Sequence, residues 1–211
     1  MIGNFLKYKV MGWKKMKHLI IDVESMGIEE KSVILQISAA IHDTENKDQM
    51  FEKLVFRNWK IQAKPQTEFG RTVDADTLKW WKEQPHEVQL KSLIPSKDDV
   101  DPEVACQEFE DWLNENGFTK KDFIWQRGSK DQDWICSLMT DCGWIGYKIP
   151  LKFYRVRDIR TAVDVLGWSE KLNGYPDNAD ELRSQIPGYK QHDAESDIKL
   201  ELLILRQCGI L

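Results

Sequence analysis

The stretch Lys17–Gly27, KHLIIDVESMG, decides the fold. Its uninterrupted apolar run Leu19–Ile21 is rich in β-branched residues and predicts a strand that is buried on both faces, in the middle of a sheet. Asp22 and Glu24 follow near the end of this strand. Because side chains two positions apart in a strand point to the same side, the two carboxyl groups are expected to share one face.

Two acids on one face at the end of a buried strand have two interpretations. Burying like charges side by side costs free energy unless something positive lies between them. A hard divalent cation is the positive partner that carboxylate oxygens prefer. The alternative is a solvated pair of acids, because an Asp-x-Glu motif arises by chance in a chain with 35 acidic residues.

The composition indicates a folded protein. The chain has 211 residues, of which 41% are hydrophobic, and this length predicts a single domain over residues 1–211, with residues 1–16 as a loose extension. No apolar run reaches membrane-spanning length, and the N-terminus lacks the apolar core of a signal peptide. The four Cys show no CxxC spacing, so we expect a reducing, cytoplasmic environment and no zinc site.

The net charge of −5 limits how the chain could bind nucleic acid. Proteins that hold long nucleic acids through the phosphates are usually basic. Any binding of nucleic acid by this chain should therefore be local, through bound metal and a few basic side chains, with modest and salt-sensitive affinity.

The order of apolar and polar segments predicts an α/β protein. After the first strand, further strands are expected at Ser32–Ile41 and Met50–Phe56, which together indicate an antiparallel meander. Later strands are expected at Asp122–Trp125 and Phe153–Val156. Helices are expected to begin near Asp76, Pro102, Asp131, Ile159 and Asp193. Residues 58–72 and 168–189 are expected to be long loops.

Adjacent Trp80 and Trp81 stand in the first of these helices. They cannot both face the core, because neighbouring residues of a helix point about 100° apart. One of them can fill the core while the other stacks on a nucleobase. Two core residues that straddle a boundary are the alternative.

More acids and a histidine stand at the starts of two later helices. Asp131 and Asp133 follow a turn at residues 127–129, and helix capping is an alternative role for each of them. His192 precedes the last helix, and Asp197 follows five residues later. A histidine beside a carboxylate can act as a general base next to a metal ligand, although a lone histidine at this place is more often a cap or a core residue.

Together, these motifs resemble those of the DnaQ-like 3′-to-5′ exonucleases, whose DEDD group is named after four metal-binding acids. The segments that carry the resemblance are HLIIDVESMG, TLKWWKEQP, WQRGS, KFYRVRDIRT and HDAESDIK, spread over residues 17–207. A His five residues before the last Asp is typical of the DEDDh branch, and the sequence also resembles members from T-even phages. The resemblance implies an RNase H-like α/β fold, whose mixed central sheet is antiparallel in its first three strands and is flanked by helices.

The resemblance also implies a set of functional residues. Two Mg²⁺ or Mn²⁺ ions would be held by the four acids Asp22, Glu24, Asp131 and Asp197. His192 would act as the general base. The residues against the substrate would be Ser25 and Met26 at the 3′-terminal nucleotide and Trp81 at a base. Arg157 and Arg160 are candidates for phosphate contacts, with solvated surface positions as the alternative.

One of these ligands departs from the family pattern. The family places an Asp four residues after the Gly of the turn, whereas here the fourth residue after Gly128 lies between Asp131 and Asp133. Asp131 is the better match, because an apolar pair follows it three and four residues later, as in the family. Asp133 would place Ser137 at one of those apolar positions.

The implied function is hydrolysis of single-stranded nucleic acid from the 3′ end to nucleoside 5′-monophosphates, with DNA as the favoured substrate. Nothing in the residues distinguishes deoxyribose from ribose, so an exoribonuclease acting on short RNA is one alternative. A non-catalytic RNase H-like module that binds nucleic acid is another. The presence of all five catalytic residue types disfavours the module, and the displaced Asp131 leaves it open.

Overall fold

The computed structural model describes residues 16–44 and 54–211, and its centre is a mixed five-stranded sheet. The strands are β1 (Lys17–Ser25), β2 (Ile34–Asp43), β3 (Val55–Lys60), β4 (Phe123–Gln126) and β5 (Val156–Asp158). Their order in the sheet is β3-β2-β1-β4-β5. The first three strands are antiparallel, whereas β1, β4 and β5 run parallel. The predicted α/β class with a mixed sheet is confirmed.

Within the described residues, eight α-helices flank this sheet. They are α1 (Ala63–Glu68), α2 (Ala75–Glu83), α3 (His86–Lys91), α4 (Pro102–Glu115), α5 (Asp131–Asp141), α6 (Ile159–Val165), α7 (Ala179–Ser184) and α8 (Ala194–Gln207). Short 3₁₀ turns occupy Gly146–Lys148 and Phe153–Arg155. None of the helices in this part of the chain combines the length and the apolar character that crossing a bilayer requires.

The central strand β1 separates two apolar cores. Leu19, Ile21 and Val23 on one face pack with residues of α4 and α5. Ile20 on the other face packs with α6, α7 and α8. This alternation explains why an unbroken apolar run forms the middle strand, and it directs the next even-numbered side chain, Asp22, toward the side of the sheet that α8 covers.

Two predicted loops contain short helices. Residues 58–72 include the end of β3 and all of α1. The buried side chain of Gln66 in α1 makes the hydrogen bonds to the start of β2 that a neighbouring strand would otherwise make. The Ile34 N–H donates to Gln66 Oε1 at 2.8 Å, and Gln66 Nε2 donates to the Ile34 carbonyl oxygen at 2.7 Å. Residues 168–189 contain the six-residue helix α7. Neither helix is long enough for an apolar repeat to reveal it.

Two predicted strands are displaced. The predicted strand Met50–Phe56 corresponds to β3, which begins at Val55, and residues 45–53 lie outside the described part of the chain. The predicted strand Phe153–Val156 corresponds to β5, which begins at Val156. The preceding residues form a 3₁₀ turn instead, and the apolar side chains that suggested a strand are exposed. The expected loose extension also lies outside the described residues, apart from Met16.

Candidate active site

The candidate site lies at the C-terminal ends of the parallel strands β1 and β4. β4 leads through the turn at residues 127–129 into α5, so that Asp131 begins this helix next to the end of β1. Asp131 Oδ1 accepts a hydrogen bond of 3.1 Å from the N–H of Val23, the residue between Asp22 and Glu24. The first turn of α5 is thereby attached to the centre of the Asp-x-Glu motif.

Three of the four predicted ligands form a compact cluster. Asp22, Glu24 and Asp197 each offer a carboxylate oxygen, and these oxygens all lie within 4.8 Å of one another. Asp131 is buried beside them, whereas Asp133 is exposed on α5. The structure thus brings together the acids of β1, α5 and α8, and it keeps Asp133 away from them.

The packing of these acids raises their pKa values. Burial, and then the charges of Glu24, Asp131 and Asp197, raise the pKa of Asp22 well above its ordinary value. Burial, and then Asp197 and Asp131, raise the pKa of Glu24 to about 8. Burial likewise raises the pKa of Asp131 to about 7 and that of Asp197 to about 6. Strongly perturbed carboxyl groups at one edge of a sheet are typical of functional sites.

The donor set fits a hard divalent cation. Asp22 Oδ2 is buried and has no hydrogen-bond partner among residues 16–44 and 54–211. A buried carboxylate oxygen without a donor is costly in a protein, and a cation coordinated by neighbouring carboxylates removes that cost. The cluster can therefore hold a metal ion through Asp22, Glu24 and Asp197, with Asp131 alongside.

A fifth acid, Glu201, lies close enough to act on the pKa values of Asp22, Asp131 and Asp197, and it is not among the residues predicted from the sequence. It is neutralised by Arg127 of the turn after β4, through two hydrogen bonds, one of them 2.9 Å between Nη2 and Oε2. Glu201 stands one helical turn after Asp197 on α8, and this spacing is the signal that could have revealed it.

Asp197 is oriented by two donors from the segment before α8. Tyr189 Oη donates to Asp197 Oδ1 at 2.9 Å, and the backbone N–H of His192 donates to Asp197 Oδ2 at 3.0 Å. His192 has a φ of 62°, in the left-handed region, and its half-buried side chain has a pKa lowered by burial. The backbone of His192 therefore contacts the last acid, and its imidazole is neutral at neutral pH.

The two adjacent Trp residues have opposite environments, and the burial of Trp81 contradicts the expectation that its ring contacts a base. Trp81 is only 1% exposed, and its Nε1 donates to the carbonyl oxygen of Ser25 at 2.9 Å. Trp80 is 39% exposed, and its ring meets that of His192 edge to face with centroids 4.8 Å apart. The phase of the helix could not be deduced from the sequence because both positions are aromatic.

The segment after the Asp-x-Glu motif is held in a tight turn. Ser25 Oγ donates to the Gly27 carbonyl oxygen at 2.6 Å, and the Met26 backbone pairs with Val33 and Asp74. The side chain of Met26 is half-buried against the cluster of Trp81. This turn lies next to the acids, and contact of Ser25 and Met26 with a nucleotide stays a prediction.

The pKa shifts predict that stability depends on pH when no divalent ion is present. The folded protein retains carboxyl protons that the unfolded chain releases near pH 4, so stability falls as the pH rises from there through the raised pKa values, up to about 8 for Glu24. We expect Asp22→Asn to raise the melting temperature at pH 8 in EDTA by several degrees, at about 2–4 °C per kcal/mol. The raised pKa of Asp22 favours its protonated form more strongly at pH 5 than at pH 8, so the variant should change the melting temperature less at pH 5.

The matched control for this prediction is Asp133→Asn, an exposed acid of the same helix turn as Asp131. Its melting temperature should follow that of the unmodified protein at both pH values. An unchanged or lower melting temperature of Asp22→Asn at pH 8 would show that the carboxyl groups do not repel one another in the folded state.

Comparison with known proteins assigns the chain to a family. Residues 17–204 match the model of the 3′-5′ exoribonuclease Rv2179c-like domain. The chain is also 27% identical over 201 residues to an exodeoxyribonuclease of Enterobacteria phage T4, an alignment that covers 89% of this chain and 86% of the phage protein.

Two solved structures share the fold. Exonuclease I of E. coli in complex with a dT13 oligonucleotide matches with a TM-score of 0.59 and 13% identity over 92% of this chain, and cell-death related nuclease 4 with a TM-score of 0.56 and 16% identity over 92%. The chain spans only 41% of the first of these chains and 64% of the second. The predicted RNase H-like fold is confirmed. We conclude that the chain is a DnaQ-like 3′-5′ exonuclease that belongs to the family of 3′-5′ exoribonuclease Rv2179c-like domains.

Proposed function

We propose that this exonuclease releases nucleoside 5′-monophosphates from the 3′ end of single-stranded DNA, with two divalent ions, Mg²⁺ or Mn²⁺, at the acidic cluster. The ligands are Asp22, Glu24, Asp131 and Asp197. The observation that carries the proposal is the buried Asp22 Oδ2, which lacks a donor within the described residues, on a side chain that has four carboxyl groups as electrostatic neighbours. This arrangement suits a site built for positive charge.

When bound, the ions supply the positive charge that stabilises the attacking and leaving oxygens of an in-line displacement at phosphorus. The chain holds its acids ready for that task. The Val23 N–H fixes Asp131, and Tyr189 together with the His192 N–H fixes the two oxygens of Asp197. Each of these oxygens retains a lone pair that can face the cation.

His192 is the proton acceptor in this proposal. Burial lowers the pKa of His192, so an imidazole nitrogen is free to take the proton from the attacking water at neutral pH. The backbone of His192 is tied to Asp197, and the Trp80 ring packs against its imidazole. The first contact holds the backbone of His192 beside Asp197, and the second restricts the rotation of its imidazole.

The terminal nucleotide would lie against the turn that follows β1. Ser25 and Met26 form this turn, and Trp81 supports it from beneath through its hydrogen bond to the Ser25 carbonyl oxygen. Trp80, rather than Trp81, offers an exposed ring on which a base can stack, a contact worth about 1–3 kcal/mol. A single-stranded nucleic acid must present its 3′ end to reach this turn. This requirement would account for hydrolysis from the 3′ terminus.

The two sequence comparisons point to different substrates, one to DNA and the other to RNA. The phage protein that covers most of this chain is an exodeoxyribonuclease, and this supports DNA as the favoured substrate. The description of the family as an exoribonuclease domain supports RNA as the second candidate. A catalytic role is favoured over a purely binding module because the acids and His192 stand at one edge of the sheet.

The function is tested by the degradation of matched DNA and RNA oligonucleotides that carry a label at the 5′ end. We expect stepwise shortening from the 3′ end with Mg²⁺ or Mn²⁺, faster on DNA, and none in EDTA, and gel electrophoresis resolves each step. Failure to shorten either strand with either ion would contradict the proposed function. Faster degradation of RNA would reverse the substrate preference.

The assignment of the α5 ligand is tested by two isosteric variants. Asp131→Asn keeps an oxygen that can accept from the Val23 N–H, so the fold should persist. Turnover should fall by at least the roughly 10–100-fold that loss of a group supporting a metal ligand costs. Asp133→Asn alters an exposed side chain and should leave kcat unchanged. Equal and mild effects of both variants would remove Asp131 from the site.

The role of His192 is tested by His192→Ala, for which the exposed His86 provides the matched control, His86→Ala. Loss of a general base should lower kcat by about 10²–10⁴-fold without unfolding the protein. Circular dichroism checks the fold, and single-turnover kinetics measure the chemical step. Turnover of His192→Ala at the rate of the unmodified enzyme would show that another group accepts the proton.

A further inference from the structure

The segment 145–160 differs in charge from the rest of the chain. In a protein with a net charge of −5, this segment has only one acid, Asp158, and its basic residues are Lys148, Lys152, Arg155, Arg157 and Arg160. The carboxylate of Asp158 is already engaged, because it caps α6 and accepts a 2.9 Å hydrogen bond from the Gly128 N–H. The segment is therefore locally positive and attracts phosphate groups.

Exposed aromatic rings stand among these basic residues. Tyr147 is 82% exposed, Phe153 79% and Tyr154 53%. Phe153 and Tyr154 meet edge to face, with their centroids 5.4 Å apart and an angle of 85° between the rings, so that the two ring faces have different orientations. Single exposed apolar side chains are common, but a group of rings interleaved with basic residues is typical of surfaces that bind single-stranded nucleic acid.

Two guanidinium groups are held on the edge of the sheet without a carboxylate. Arg155 and Arg157 both lie over the ring of Phe123, at 5.7 and 4.6 Å from its centroid. Arg157 Nη1 also donates to the carbonyl oxygens of Tyr154 and Val156, at 3.2 and 2.7 Å. Neither arginine forms a salt bridge with any residue of the described ranges, so their charge is available to phosphate.

The positive surface is continuous with the candidate active site. In the parallel ladder, Arg157 pairs with Trp125 and Trp125 pairs with Ile20, so Arg157 lies on the same face of the sheet as Asp22. β5 runs toward the site, and Asp158 at its end binds the turn that leads into α5. The β-strand β5 has three residues and spans about 10 Å. A single-stranded nucleic acid that leaves the active site can follow this path.

We propose that residues 145–160 form a platform for the part of a single-stranded substrate that lies 5′ of the terminal nucleotide, an inference that rests on the proposed function. The exposed rings of Phe153 and Tyr154 stack on bases, and Arg155 and Arg157 contact the phosphates. The platform raises the affinity for long strands over short ones, whereas the acids and His192 act on the last phosphodiester bond. The positive charge favours a polyanion over a protein partner or a second copy of the chain.

The test compares a dinucleotide with a single strand of about 12 nucleotides, a length within the range of single-strand sites. In the double variant Phe153→Ala/Tyr154→Ala, KM for the long strand should rise about 10-fold or more, while KM for the dinucleotide and kcat for both substrates stay unchanged. Phe69→Ala, which removes an exposed ring at the end of α1, is the matched control and should behave as the unmodified enzyme.

A second variant, Arg155→Gln, tests the phosphate contact by its salt dependence. For the long strand, the slope of log affinity against log salt concentration should become shallower by about 0.7 for each phosphate that the variant no longer neutralises. Fluorescence anisotropy of a labelled strand measures this affinity independently of hydrolysis. Equal effects on long and short strands, or no effect on either, would overturn the platform.

Two further outcomes distinguish the platform from a protein interface and from the proposed function. If the double variant changes the oligomeric state in sedimentation, without an effect that depends on substrate length, the surface is a protein interface and the platform is wrong. If the unmodified protein hydrolyses neither substrate but binds the long strand, and the double variant loses this binding, the proposed function fails while the platform stands.

Discussion

Repulsion between the carboxyl groups at the end of β1 is the constraint on which the rest of the structure depends. The fold holds four acids together although Glu24, Asp131 and Asp197 all raise the pKa of Asp22. The ends of two helices help to offset this repulsion. Asp131 is the first residue of α5 and Asp197 stands in the first turn of α8, where the helix dipole favours negative charge. The apolar packing of β1 on both faces supplies the remaining stability.

A second layer of contacts connects the turn after β1 with the segment that contains His192. α2 is attached to the turn through Trp81 and Ser25, and α3 reaches the start of α8 through the ion pair of Lys91 Nζ with Asp193 Oδ1, at 2.5 Å. The pairing of Glu87 with Lys190 reinforces that connection. The helices α2 and α3 therefore set the separation between the turn after β1 and the segment that contains His192.

The sequence predicted the parts of the site that follow from local pattern. The apolar run of β1 identified a central strand, and the match of the apolar residues after Asp131 to the family pattern selected the acid that is buried beside the cluster. It did not predict which of Trp80 and Trp81 is buried, because helix phase is decided by tertiary packing. The helices α1 and α7 escaped detection for a related reason. They are short, and α1 is fixed by the buried amide of Gln66 rather than by an apolar stripe.

The two edges of the sheet are the places where further strands could add, and β5 is one of them. An exposed edge presents unpaired backbone groups, which makes it a template for aggregation unless it is short or charged. β5 has three residues, and the arginine at its centre would bring like charges together if a second copy paired with it. The same two features of β5, its short length and its positive charge, disfavour pairing with a second copy of the chain and leave this edge accessible to a polyanion.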